Sequence, residues 1–182
     1  GLDSPTQGAV HVLGHSMDNT SHNERARLRR KHMGFIFQSY NLLPVYTVFE
    51  NVELPLILNQ VEPQEREKKV KQAVEWVGLH DKINSRPAML SGGECQRTAI
   101  ARAIVHQPAL ILADEPTGAL DTDTGNEIMG ILSDLVKDRG ITLVVVTHEP
   151  HIANWSNRSI FMRDGLIIED SAPGASANRR EA

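Results

Sequence analysis

Apolar residues in this chain gather into three short unbroken runs, with stretches of helical spacing between them. Met33 to Phe37, Ala109 to Ala113 and Ile141 to Val146 carry no polar alternation. Runs of that length suit strands covered on both faces of a sheet. Pro63 to Leu79 predicts an amphipathic helix: Pro63 or Gln64 can open it, Val70, Ala73, Val74 and Val77 share one face, and Gly78 closes it. Ser91 can cap a second helix with Ala99, Ile100, Ala103 and Ile104 on its buried face, and Pro108 stops it. Asp123 to Asp138 predicts a third, with Ile128, Ile131, Leu132 and Leu135 inward and Gly140 at its end. Alternation of strand and helix predicts an α/β fold with parallel strands.

The flanking regions are less regular. Asp3-Ser4-Pro5-Thr6-Gln7-Gly8 is a turn cluster, and Ala9 to Leu13 predicts a short strand ended by Gly14. Ser21 to Arg30 is polar and helix-compatible, and its run Arg25, Arg27, Arg29, Arg30, Lys31 reads as a solvated face. Val48 to Leu58 is mixed apolar and interrupted by Pro55, so it receives no assignment. Ser159 to Met162 and Leu166 to Ile168 flank Asp164-Gly165 as a hairpin-like pair, and from Ala172 the chain is small and polar.

Composition narrows the classes. A chain of 182 residues, 40% hydrophobic and 23% charged, holds one domain or one domain with a small subdomain. The net charge of -4 gives no reason to expect nucleic acid as a bulk electrostatic partner. Cys95 is the single cysteine, so it makes no internal disulfide, and it reads as a small buried or half-buried thiol. No apolar run approaches the roughly 18–20 residues that cross a bilayer. His11 and His15 fall on a strand and turn, which removes the shared helical face a metal pair would need, and the sequence assigns no role to His22, His32, His80, His106 or His151.

Two constellations carry chemistry. The apolar run ending in Asp114-Glu115 places two carboxylates at the carboxyl edge of a sheet, where open α/β folds bind ligands. One can serve a hard cation and the next can orient water. Ser91-Gly92-Gly93 opens a helix, whose first N–H groups and positive dipole end form an anion site. The glycines permit close backbone approach to phosphate. Alone, each constellation has an ordinary structural reading as a strand-end turn or a capped helix start.

Together with their neighbours they resemble the ATP-binding-cassette (ABC) ATPases over about residues 1–170. Leu90-Ser91-Gly92-Gly93-Glu94-Cys95-Gln96-Arg97 resembles the signature loop, and LILADEPTGALD resembles the Walker B strand running into the D-loop. GFIFQSYNLLPVYTVFENVELPL, VVVTHE and MRDGLIIED are similar to the lipoprotein-release and macrolide-export branch. The resemblance implies an α/β P-loop NTPase fold, RecA-like, with a mostly parallel sheet and a helical subdomain. It implies a core of residues 1–38 and 98–182 and a helical subdomain of residues 39–97 bearing the signature. It implies an ATPase with ATP and Mg²⁺ as cofactors. Asp114 and Gln38 are then expected at the metal, Glu115, Gln38 and His148 in catalysis, and Ser91, Gly92, Gly93, Gln96 and Asp121 at nucleotide. It further implies a head-to-tail homodimer with two composite sites, a transmembrane permease partner, and a cytoplasmic position on the inner face of the cell membrane, powering export or release of a lipophilic substrate.

One departure stands out. The chain contains no G-x-x-x-x-G-K-[ST], and in the family that phosphate loop precedes a GLDxPTxG stretch such as opens here. Gly1-Leu2-Asp3 resembles the end of the helix which that loop opens. The expectation is an N-terminally truncated cassette, lacking its first core strand and phosphate loop, inactive alone, with unpaired sheet edges and exposed apolar surface. A non-catalytic truncated interaction module and a soluble non-transport ABC protein are the alternatives.

Overall fold

The computed structural model describes residues 3, 5–18 and 20–171. Gly1 and Leu2 of the expected helix end, and the small, polar tail from Ala172, lie outside the described residues. The chain packs as two units, residues 1–146 and 147–182.

The first unit is built on a parallel sheet of three strands, β3 (Met33–Phe37), β4 (Leu110–Asp114) and β5 (Thr142–Val146), in that spatial order. It is preceded by a two-residue ladder of β1 (His11–Val12) with β2 (His15–Ser16), and by α1 (His22–His32). The strand expected over Ala9 to Leu13 is therefore only His11–Val12, because Leu13 and Gly14 both take positive φ in the turn that pairs it with β2. Helices α2 (Val48–Leu58), α3 (Pro63–Trp76), α4 (Gly92–Ile104) and α5 (Thr122–Arg139) complete the unit, with short 3₁₀ turns at His80–Lys82 and Pro87–Met89.

Segment 48–58, unassigned from sequence, is a continuous helix with Pro55 inside it. Val48, Val52 and Leu56 fall at i, i+4 and i+8 and are 0%, 0% and 1% exposed. That stripe packs on α3 and α4, and its burial outweighs the roughly 3 kcal/mol that an interior proline costs a helix. Thr47 and Glu50 form a capping box at its start. Asn51, fully buried, accepts from the Leu43 N–H at 2.8 Å and donates to the carbonyls of Leu43, Tyr46 and Thr47, which fixes the loop before the helix.

The inward face expected for α4 holds: Ala99, Ile100, Ala103 and Ile104 are all at most 4% exposed. In α5, Ile128, Leu132 and Leu135 are buried while Ile131 is only half-buried, and Gly140 ends the helix in the left-handed conformation at φ 62°. The solvated reading of the α1 charge run fails at Arg25, which is 7% exposed.

The second unit contains a 3₁₀ stretch, Pro150–Trp155, and an antiparallel hairpin of β6 (Ser159–Arg163) and β7 (Leu166–Ser171). Asp164 and Gly165 both take positive φ, the type I′ geometry whose twist matches paired strands. Arg158 clasps Asp170 through two hydrogen bonds of 2.8 and 2.7 Å.

Candidate functional site

The parallel register lines up the ends of the three strands. Phe37 pairs with Asp114, and Asp114 with Val146. Gln38 and Glu115, the next residue in each of the first two strands, therefore leave the same edge of the sheet. His148 stands two residues beyond Val146, in the second unit.

Glu115 has a backbone no sequence pattern reveals. Its φ is +46°, a left-handed conformation rare for a non-glycine residue, and its N–H donates to the Val146 carbonyl at 2.9 Å. A residue held this way stores of order 1 kcal/mol or more of strain, and such outliers gather at functional sites. The chain then turns tightly: the Gly118 N–H donates to the Glu115 carbonyl at 3.2 Å and the Leu120 N–H to that of Thr117 at 2.9 Å. A Cβ on Gly118 would stand 2.9 Å from Gln38 Nε2 and 3.4 Å from Glu115 Cβ. Gly118 thus lets the Gln38 amide lie against the loop that carries the second carboxylate. Asp114 and Gln38 are exposed and Glu115 is half-buried. Exposed carboxylate and amide oxygens are the hard donors Mg²⁺ takes alongside several waters. Among the described residues no group of three or more His, Cys, Asp or Glu is placed to hold a metal.

The Ser91 end of α4 meets the same loop. Ser91 Oγ accepts from the Glu94 N–H at 3.2 Å, and Glu94 Oε2 accepts from the Ser91 N–H at 2.7 Å. This capping box holds the Glu94 carboxyl below its usual range through the Ser91 backbone N–H. Gly92 and Gly93 become the first two helical positions, which have no intrahelical acceptor for their N–H groups. Their lack of side chains has a second reason beyond phosphate approach. A Cβ at Gly92 would meet the Tyr40 hydroxyl at 2.9 Å and Leu120 Cδ2 at 3.2 Å, and one at Gly93 would meet Thr124 Cγ2 at 2.6 Å. Gly92 is exposed and Gly93 buried.

Gln96 departs from its expected place at nucleotide. It is 0% exposed, and its Nε2 donates to the Pro116 carbonyl at 2.6 Å. A side chain with no accessible surface does not reach a ligand; Gln96 ties α4 to the residue after Glu115 and acts on the site through that loop. Asp121 caps α5, accepting from the Thr124 N–H at 3.0 Å and its hydroxyl at 2.7 Å, and these bonds hold its carboxyl below the usual value. Cys95 is buried, and burial pushes its thiol up.

Three residues the sequence did not single out, Tyr40, Asn41 and Arg102, join these parts. Tyr40 and Asn41 take consecutive positive φ values just after Gln38, and the Arg102 guanidinium donates to both of their carbonyls, at 2.7 Å for Tyr40. The helix that opens at Ser91 thus also grips the turn after Gln38. The Tyr40 hydroxyl stands at Gly92, and burial raises its pKa. A tyrosine in an irregular turn between Ser39 and Asn41 gives no periodic signal, so only the geometry finds it.

The family model described as ABC transporter matches residues 1–118. An uncharacterized ABC transporter ATP-binding protein, MJ1508 of Methanocaldococcus jannaschii, is 46% identical over 168 residues, covering 92% of this chain and 75% of that protein. The macrolide export ATP-binding/permease protein MacB of Salmonella typhimurium is 43% identical over 180 residues, covering 99% of this chain but 27% of that protein. Among solved structures, a dimer of the ATP-binding cassette MJ0796 bound to ADP and Pi overlays with a TM-score of 0.84 at 40% identity, covering 94% of this chain and 75% of that one.

Proposed function

From the premise that this chain belongs to the ABC transporter ATP-binding family, with the P-loop NTPase fold of its ATPase cassettes, we propose that it powers export or release of a lipophilic substrate as the nucleotide-hydrolysing subunit of a membrane transporter. The observation that carries the reading is the strand register: it sends Gln38 and Asp114-Glu115 off one sheet edge, with Gly118 between the amide and the second carboxylate.

In this reading Asp114 and Gln38 face Mg²⁺, which when bound supplies charge neutralisation for the phosphates. Glu115 orients the attacking water, and His148 stands at the terminal phosphate. The α4 N-terminus at Ser91, Gly92 and Gly93 offers N–H groups to the nucleotide of a second copy, packed head to tail, and Asp121 lies in the loop that meets that copy. Residues 39–97 act as a helical subdomain beside a core of residues 1–38 and 98–182. Loop 41–47 and α2 present the surface that docks a permease, which holds the subunit at the inner face of the cell membrane. None of the described helices is long and apolar enough to cross a membrane. MacB of Salmonella typhimurium is named for macrolide export, and the likeness to it is what supports a lipophilic cargo.

The 182 residues contain no G-x-x-x-x-G-K-[ST], so by themselves they offer no lysine and backbone nest for the β-phosphate. Isothermal titration of this polypeptide with Mg-ATP should give binding weaker than about 1 mM; micromolar affinity would overturn that part of the reading. Joined to a segment bearing G-x-x-x-x-G-K-[ST], the chain should hydrolyse ATP, and Glu115→Gln should lower turnover by about 10²-fold or more. Undiminished turnover in that variant would remove Glu115 from its role.

A further inference from the structure

The exposed side chains of Arg27, Arg30 and Lys31, with half-buried His32, border a concavity of about 510 Å³ that also touches His15, the end of α2, Lys69 of α3 and His106 beyond α4. Among the described residues no carboxylate lines it. This concentration of positive charge sits in a chain whose net charge is -4.

Two features separate it from an ordinary solvated face. The first is that its cations are poorly neutralised: only Arg27 has a carboxylate acting on it, that of Glu24 one turn away on the same helix, and the two lie beyond ion-pair distance. Arg27, Arg30 and Lys31 have no ion-pair partner among the described residues, whereas Lys69 is held by Glu65 at 2.7 Å. Arg30 and Lys31 lie in the last turn of α1, where they also complement the helix dipole, but Arg27 lies a turn earlier and gains little there. The second is that the walls are pinned. Asn59 Nδ2 donates to the Arg30 carbonyl at 2.9 Å and to the Pro55 carbonyl at 2.8 Å, locking the end of α2 to the end of α1. His106 Nε2 lies 3.1 Å from the Met33 carbonyl and donates to it, which fixes the ring against the base of β3. Like charges brought together in a fixed concavity repel one another, and an anion relieves that repulsion.

We propose that this cavity is a second anion site, separate from the nucleotide edge, that takes the phosphate group of a small ligand or of a lipid headgroup through Arg27, Arg30 and Lys31. Guanidinium groups match phosphate bidentately, and the walls that carry them are held in place by the Asn59 and His106 bonds. The site lies at the opposite, amino-terminal end of β3 from Gln38, so the two anion sites do not compete for one ligand.

The probes are inorganic pyrophosphate without magnesium, followed by calorimetry and amide NMR, and phosphatidylcholine vesicles with and without phosphatidylglycerol, followed by co-sedimentation. The expected result is saturable binding with a dissociation constant of about 1 mM or tighter in at least one arm, with shifts at Leu28, Asn59 and His106. Arg27→Glu with Arg30→Glu should weaken it at least tenfold. Lys68→Glu with Lys71→Glu, the same charge change on the outer face of α3, should leave it within twofold. Pyrophosphate binding identifies a soluble source, and binding only to phosphatidylglycerol vesicles identifies a headgroup. Binding in neither arm, equal loss in both double variants, or shifts confined to Gly92 and Gly93 would overturn the proposal.

Discussion

The two flanks of the parallel sheet, β3 and β5, read alike as apolar runs but are treated differently by the fold. In β3, Ile36 is 0% exposed and Met33 6%; in β5, Val144 is 44% exposed and Val146 61%. The difference lies in what covers them. Helices α1 and α4 both pack on β3, and α4 comes so close that a Cβ on Gly34 would stand 2.5 Å from the Ala103 carbonyl oxygen. β5 has α5 on one side, and its outward residues alternate toward solvent. A hydrophobic run states a capacity to be covered; whether it is covered depends on elements far away in the chain. The helix starts differ in the same direction. Helices α1, α2 and α4 each open with a reciprocal capping box, while α5 opens on Asp121 alone.

The comparison can be broken most forcefully at Ile36. Ile36→Ala should destabilise the chain by about 3–4 kcal/mol in urea unfolding, the range for a buried aliphatic that leaves a cavity, whereas Val146→Ala should cost under about 1 kcal/mol. Equal losses would mean that the two flanks carry equal weight. Next comes Gly34→Ala, which adds one methyl against a backbone carbonyl and should cost about 1–3 kcal/mol; a neutral result would show that α4 can move off the strand. Val144→Thr, on the exposed flank, should stay within about 0.5 kcal/mol of the parent. It should also raise the concentration at which the protein precipitates, since an exposed apolar edge strand invites pairing.

The smallest effect is in the caps, and pH reads it. Glu24, Glu50 and Glu94 are held below the usual glutamate value of 4.5 by bonds to Ser21, Thr47 and Ser91, and Asp121 below 3.8 by bonds to Thr124. A depressed carboxyl stabilises the fold above its unfolded pKa, and that stability is lost as pH falls. Amide protection at the starts of α1, α2 and α4 should therefore begin to fall below pH 4.5, and at the start of α5 only below 3.8. Simultaneous loss at all four would show that global unfolding comes first.

The sequence was most legible where local chemistry and tertiary packing agree. Met33–Phe37 is the strand its composition predicts, and Ser91 and Gly140 bound their helices as capping chemistry requires. It was least legible where packing overrides propensity, as at Pro55, which sits inside a helix because Val52 and Leu56 are needed against α4. The site divides in the same way. Asp114, Ser91 and Asp121 are named by motif and stand at element ends, whereas the burial of Gln96, the turn held by Arg102 and the fit of Tyr40 against Gly92 depend on contacts between distant segments. No periodicity encodes these contacts.

The left-handed backbone of Glu115 sets chemistry and durability against each other at one position. A glycine there would relax the chain and leave it harder to denature, at the loss of the carboxylate. A search for sturdier variants of this chain should therefore keep selecting Glu115→Gly, and if the proposed function holds, those survivors, once supplied with a phosphate-loop segment, should be the least able to turn over nucleotide.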